Sequence, residues 1–296
     1  MISTMRSATG VLVTLLFLAL LHAQDSSGSA KFRFDAISFG YEARHDRLRY
    51  EFHNPVTNGS GTLIPHQFVQ AYTTDNQWGT VRARYHLLRI PWKTEVGVTP
   101  SRTNYGDDYD TTYEPSGNVT VAGTFGNVSM RSWRFLQRAG IFKAKGTVIT
   151  AAYEYRLDRS NFQFGNSFET HTKPPSSIYE KLPVPETTRS SFHRIEFGAD
   201  RVWRLSPQNR LVTGVNVAPV TLACLNVVLP VKYPGEELLF IAKALGISIR
   251  VAAVFLAESH PIELYADYGR DWSYSSKDDV RREAFAVGLR LGWNRH

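Results

Sequence analysis

Every second residue from Phe285 to Trp293 is large and apolar: Phe285, Val287, Leu289, Leu291 and Trp293. Between them stand Ala286, Gly288, Arg290 and Gly292, which are small or charged. A period of two means a β-strand whose two faces meet different surroundings. The pattern recurs. Ile37, Phe39, Tyr41 and Ala43 alternate with Ser38, Gly40, Glu42 and Arg44. Leu48, Tyr50 and Phe52 alternate with Arg47, Arg49 and Glu51, and Val81, Ala83 and Tyr85 with Arg82 and Arg84. Similar alternation marks 149–157, 195–200, 247–255 and 262–269.

Two surroundings suit such strands. The apolar face packs into the core of a soluble β-sandwich, or it faces lipid. The polar face is rich in Gly and Ala, which favours a crowded, curved interior over an open solvated face. Composition excludes a bundle of membrane helices. Mean hydropathy is −0.26, and the one strong apolar run, Val11–Leu21, falls short of the about 20 residues that a spanning helix needs. The single cysteine, Cys224, excludes an internal disulfide framework and a Cys-built zinc site.

Residues 1–23 read as a cleaved signal peptide, with Arg6, the apolar run and Leu21-His22-Ala23 as its parts. Residues 24–30 form a polar leader, and 31–296 form one domain. From Trp92 onward, short connections (143–146, 205–208, 259–260) alternate with long ones (103–127, 158–191, 220–245, 272–282). All long connections therefore fall on one side of an antiparallel meander. Near the N-terminus this parity fails: His45-Asp46 looks like a turn on the long side, and 54–65 is long on the short side. Counting 32–44, 47–53, 66–73 and 79–89 separately gives a transmembrane barrel of about 12 strands, with 10–14 allowed. Pro234–Leu245 is the one expected helix, with Glu236 and Glu237 in its first turn and Gly246 after its end.

On these features the chain resembles the bacterial outer-membrane β-barrels. The terminal strand, Phe285, Val287, Leu289, Leu291 and Trp293, looks like their C-terminal assembly signal, although Asn294-Arg295-His296 follow the usual terminal aromatic. The resemblance implies an all-β antiparallel barrel in the cell outer membrane. Its partners would be the lipid bilayer and, through that strand, the barrel-assembly machinery.

The other face would then line the lumen. It carries Arg44, Arg47, Arg49, Arg82, Arg84, Lys93, Arg156, Arg194, Arg250 and Arg290 against Glu42, Glu51, Glu95, Glu154, Glu196, Asp200, Glu263 and Asp267. A water-filled lumen of this kind makes a passive, porin-like channel or small-solute transporter biased by arginine. A lumen cross-braced by ion pairs makes a non-catalytic structural or surface barrel instead. An outer-membrane lipid hydrolase and a secreted β-sandwich are the remaining alternatives. No catalytic motif stands out, so the expectation is no enzyme, no cofactor and no metal site. His171 and His193 are the histidines best placed to partner a serine. The net charge is +7, but the arginines are dispersed along strand faces, which argues against nucleic acid.

Overall fold

The computed structural model describes residues 32–53, 55–57, 60–162, 166–181, 186–228, 238–274 and 278–295. The expected signal and leader lie outside them. In chain order the strands are β1 (Phe32–His53), β2 (Val56–Thr57), β3 (Leu63–Ile64), β4 (His66–Leu87), β5 (Ile90–Tyr113), β6 (Val119–Ala144), β7 (Thr147–Phe162), β8 (Asn166–Thr172), β9 (Pro175–Lys181), β10 (Glu186–Arg204), β11 (Arg210–Val228), β12 (Leu238–Phe255), β13 (Ile262–Ser273) and β14 (Asp278–Asn294). Ten of them form a closed antiparallel meander, β1-β4-β5-β6-β7-β10-β11-β12-β13-β14, with β14 returning to pair with β1. Closure leaves the barrel no unpaired edge. One sheet closed on itself replaces the two packed sheets that a soluble sandwich would need. The hairpin β8–β9 extends the sheet from the outer end of β6, where Thr120–Phe125 pair with His171–Asn166.

The strand count corrects the expected twelve, because two anticipated breaks are absent. His45 and Asp46 lie inside β1, where Asp46 turns inward to Arg44 (3.0 Å) and Arg156 (2.9 Å) and the backbone stays extended. Thr74–Trp78 lie inside β4, with Thr74, Asn76 and Trp78 buried in the lumen. With ten strands, 54–65 moves to the long-connection side and the parity conflict disappears.

At the other side Leu88-Arg89 and Lys145-Gly146 make two-residue turns, with φ of 51°, 69°, 43° and 82°. Positive φ at both positions matches the twist of the flanking strands.

The expected helix is also corrected. From Leu238 onward the segment is strand β12, and 234–237 lie outside the described residues. Leu239 and Ile241 point outward, while Phe240, Ala242 and Ala244 point inward and are buried. Apolar residues on both faces leave no alternation to read. Similarly, 103–113, read as a loop, belongs to β5.

The barrel strands run from 12 to 26 residues, well beyond the about 9–11 that cross a bilayer. The excess lies at the long-connection end, because short turns close the other. The wall changes character along its height. In the lower half the outward residues are apolar: Phe39, Val217, Ile249, Leu264, Val287 and Leu289 are each about two-fifths to one-half exposed. In the upper half the faces exchange roles. Leu48, Tyr50, Phe52, Phe68, Tyr72, Met130, Phe192, Leu225 and Phe240 form a buried cluster inside the barrel. Arg47, Arg49 and Glu51 project outward instead.

The exchange of faces marks the membrane boundary: charges face out where the wall leaves lipid, and the interior there becomes a soluble-type core. Outward Trp133 and Tyr155, with centroids 4.8 Å apart, sit at that level like an aromatic girdle. The outward row Arg131–Arg159–Arg189, in register across β6, β7 and β10, lies just above them. Tyr50, on the apolar side of the Leu48–Phe52 alternation, is fully buried inside.

Candidate functional site: the charged lumen

Below the aromatic cluster the lumen is crossed by carboxylate–guanidinium contacts. Parity along each strand positions them, since residues two apart share a face. β1 supplies Glu42, Arg44 and Asp46. β7 supplies Glu154, Arg156 and Asp158, and β14 supplies Arg282 and Arg290.

Glu95 is the hub of the lower layer. Its carboxylate accepts from Arg82 (2.8 Å), Arg134 (2.9 Å) and Arg290 (3.1 Å), which come from three different strands. Arg82 and Arg290 continue to Glu263 at 3.0 and 3.2 Å, and Arg250 joins them there. Arg134 also reaches Glu42 at 3.3 Å. Tyr265 donates its hydroxyl to Glu42 (2.8 Å) while its ring lies under Arg290, 3.8 Å from the guanidinium carbon. Gly288 makes room for that ring: a Cβ there would collide with the Tyr265 Cζ and hydroxyl.

A second layer lies nearer the aromatic cluster. Arg156 is completely buried between Asp46 (2.9 Å) and Asp158 (2.8 Å). Arg134 and Arg156 each lie over the Trp78 ring, 5.5 Å from its centroid. Arg194 contacts Glu196 (2.8 Å) and Asp271 (3.2 Å). Nearer the short turns, Arg138 contacts Glu196 (3.2 Å) and Asp200 (3.8 Å). A buried charge costs several kcal/mol unless it is paired and hydrogen-bonded. Here each of these charges has at least one partner, and all but Asp158 have one on another strand. The cavity left among these side chains measures about 90 Å³, room for a few waters.

The structure places the expected lumen residues as follows. Glu42, Arg44, Arg82, Glu95, Glu154, Arg156, Arg194, Glu196, Asp200, Arg250, Glu263, Asp267 and Arg290 lie inside and belong to the network. Arg84 and Lys93 line a wider cavity at the short-turn end. Arg47, Arg49 and Glu51 are corrected to the outer wall, because unbroken β1 keeps the parity of Glu42 and Arg44. Phe285, Val287, Leu289, Leu291 and Trp293 all face outward.

The sequence reading missed Asp46, Trp78, Arg134, Arg138, Asp158, Asp271 and Arg282. Parity would have found some of them: Asp158 continues Glu154 and Arg156, and Arg282 shares the parity of Arg290. β6 hides Arg134 and Arg138, because apolar Met130 and Leu136 share their inward face while Arg131 faces outward, so polarity does not follow parity there.

Histidine contacts lie outside this network. His171 Nε2 meets Glu169 (2.6 Å) and its Nδ1 meets Thr120 Oγ1 (3.0 Å). This hydroxyl–imidazole–carboxylate line lies where hairpin β8–β9 docks on β6, and Asn118 also donates to Thr120 (3.3 Å). His193 contacts the Tyr153 hydroxyl (2.8 Å) on the outer wall. Among the described residues no cluster of metal-ligating side chains is found.

No protein-family model matches the chain, and no curated protein matches it. Solved structures do. The outer membrane protease OmpT of Escherichia coli superposes with a TM-score of 0.57 at 9% identity, covering 91% of this chain and all of that one. The β domain of the Bordetella autotransporter BrkA (TM-score 0.39, 11% identity, 87% and 98% covered) also matches. So does the outer membrane protein OprG of Pseudomonas aeruginosa (TM-score 0.35, 9% identity, 89% and 97% covered). At such identity the OmpT likeness establishes the fold, an outer-membrane β-barrel, and no more.

Proposed function

We propose that this chain, folded as an outer-membrane β-barrel, is a sealed, non-catalytic barrel that anchors a protruding surface domain in the outer membrane. The observation that carries this reading is the double filling of the lumen. Above, Phe52, Phe68 and Phe240 stack across the barrel, with centroids 4.3 and 5.3 Å apart. Below, Arg156 holds Asp46 and Asp158 with no solvent exposure. A diffusion channel needs a continuous aqueous path. A layer of stacked rings above a 90 Å³ cavity supports the ion-paired structural reading over the porin-like one. What reaches the outside is the wall above the membrane, with its exposed Arg49, Arg131, Arg159 and Arg189, half-buried Glu51 and the hairpin β8–β9. Cofactors have no role in this reading.

Reconstitution into planar bilayers tests it. Folded protein should add no stepwise conductance. Opening the ring layer with the double variant Phe52→Ala/Phe240→Ala should not by itself create a pore, because the ion-pair layer still closes the lumen.

The hydrolase reading keeps one observation in its favour, the Thr120–His171–Glu169 line. An esterase assay on short-chain phospholipid, comparing the protein with Thr120→Ala, separates the two. Activity lost in the variant would replace the non-catalytic reading.

A further inference from the structure

At the short-turn end the lumen widens into a cavity of about 1600 Å³, far larger than the space among the ion pairs above it. Its electrostatics differ from theirs. Arg84, Lys93 and Arg138 stand directly opposite one another in register across β4, β5 and β6. Like charges in cross-strand register are destabilising. Arg210 lines the same cavity from β11. Deeper in the lumen every arginine of the network meets a carboxylate. Here, among the described residues, Lys93 and Arg210 have none within ion-pairing distance. Arg84 has only the neutral Asn294 side-chain oxygen (2.6 Å), and Arg138 alone is paired, to Glu196 and Asp200. The carboxylates Asp35, Asp200 and Glu258 also line this cavity, but Asp35 is held by Arg33 and His86 and Asp200 by Arg138, and none pairs with Arg84, Lys93 or Arg210. Lys93 is exposed to the cavity, so a solute entering from that side can reach it.

We infer that this vestibule binds a phosphate-bearing anion on the Arg84–Lys93–Arg138 row, with Arg210 opposing. Guanidinium forks suit the oxygens of a phosphate, and a bound dianion would offset the repulsion along the row. In an outer-membrane barrel short turns face the periplasm, so the ligand arrives from there. It is either a soluble phosphorylated solute or the headgroup of an inner-leaflet anionic lipid reaching under the rim. The inference goes beyond the sealed-barrel reading and does not depend on it, since a vestibule can load whether or not the lumen above conducts.

Titration calorimetry on the full barrel in phosphatidylcholine nanodiscs, with inorganic pyrophosphate as probe, tests the soluble source. Saturable binding is expected. Lys93→Gln/Arg210→Gln should weaken it at least about tenfold, the loss of two charge-assisted contacts. If pyrophosphate does not bind, melting in phosphatidylglycerol against phosphatidylcholine nanodiscs tests the headgroup source. A rise in Tm with phosphatidylglycerol that vanishes in the double variant supports the inference with lipid as ligand. Without any phosphate, Lys93→Gln alone should raise Tm by relieving the row, which a purely structural lysine would not do. Neither probe acting through Lys93 and Arg210 in a variant that still shows the heat-modifiable migration of a folded barrel would overturn the inference.

Discussion

Single side chains here are judged by which wall surface they occupy. Glu95 sits under three guanidinium groups, so Glu95→Gln leaves Arg82, Arg134 and Arg290 without their shared counter-charge. A loss of about 3–5 kcal/mol is expected, read as a lower urea midpoint in micelles. Leu289 faces outward at 39% exposure, and Leu289→Arg should cost about 2–4 kcal/mol near the bilayer midplane and impair membrane insertion; normal insertion would refute the lipid-facing assignment. Glu51 offers a titration test outside the membrane. Burial alone raises the pKa of its carboxyl, but hydrogen bonds from Arg49 (3.0 Å), Gln67 (2.6 Å) and His53 (3.1 Å) outweigh it and hold the group below its ordinary value. The unfolded chain therefore binds the proton more readily. The contribution of Glu51 is present above the ordinary carboxylate range and is lost as pH falls through the depressed value. Arg49→Ala should move the Glu51 titration upward in NMR. At this scale the sequence was legible where alternation was clean, as at Phe285–Trp293. It was illegible at Arg134 and Arg138, which share their inward face with apolar Met130 and Leu136.

At the scale of the strand, the informative feature is the exchange of faces within one element. β1 places Glu42 and Arg44 inside next to Leu48, Tyr50 and Phe52, also inside. Sorting residues by polarity instead of parity splits this strand in two, which is how a turn at His45-Asp46 came to be expected. Parity is a backbone property and survives the exchange, whereas polarity follows the medium outside the wall. β12 was hidden by its outer end, which carries apolar residues on both faces, so Leu238–Leu245 matches helix and strand equally. A paired substitution exposes the exchange. Leu48→Ala should destabilise by about 2–5 kcal/mol as a core truncation, while Arg49→Leu, one residue on, should shift stability by no more than about 0.5 kcal/mol. The reverse ranking in equilibrium unfolding would put the lipid boundary elsewhere on β1.

For the whole molecule, the long connections and the terminal strand announce an antiparallel barrel in the sequence itself. The sequence leaves the filling of its lumen as one of two readings, channel or ion-paired barrel. A list of inward charges reads alike for a wet pore and for a braced core; only cross-barrel distances separate them, and these join residues such as Glu42 and Tyr265 that are remote in sequence. Three zones stack along the axis: an aromatic core above the membrane, an ion-paired layer within it, and a basic vestibule at the short-turn mouth. In the proposed reading the first two seal the barrel. Single-channel recording in planar bilayers, with heat-modifiable, detergent-purified protein, addresses that seal directly. The account predicts a flat current trace at both voltage polarities. Discrete, reproducible conductance steps from the folded barrel would contradict it.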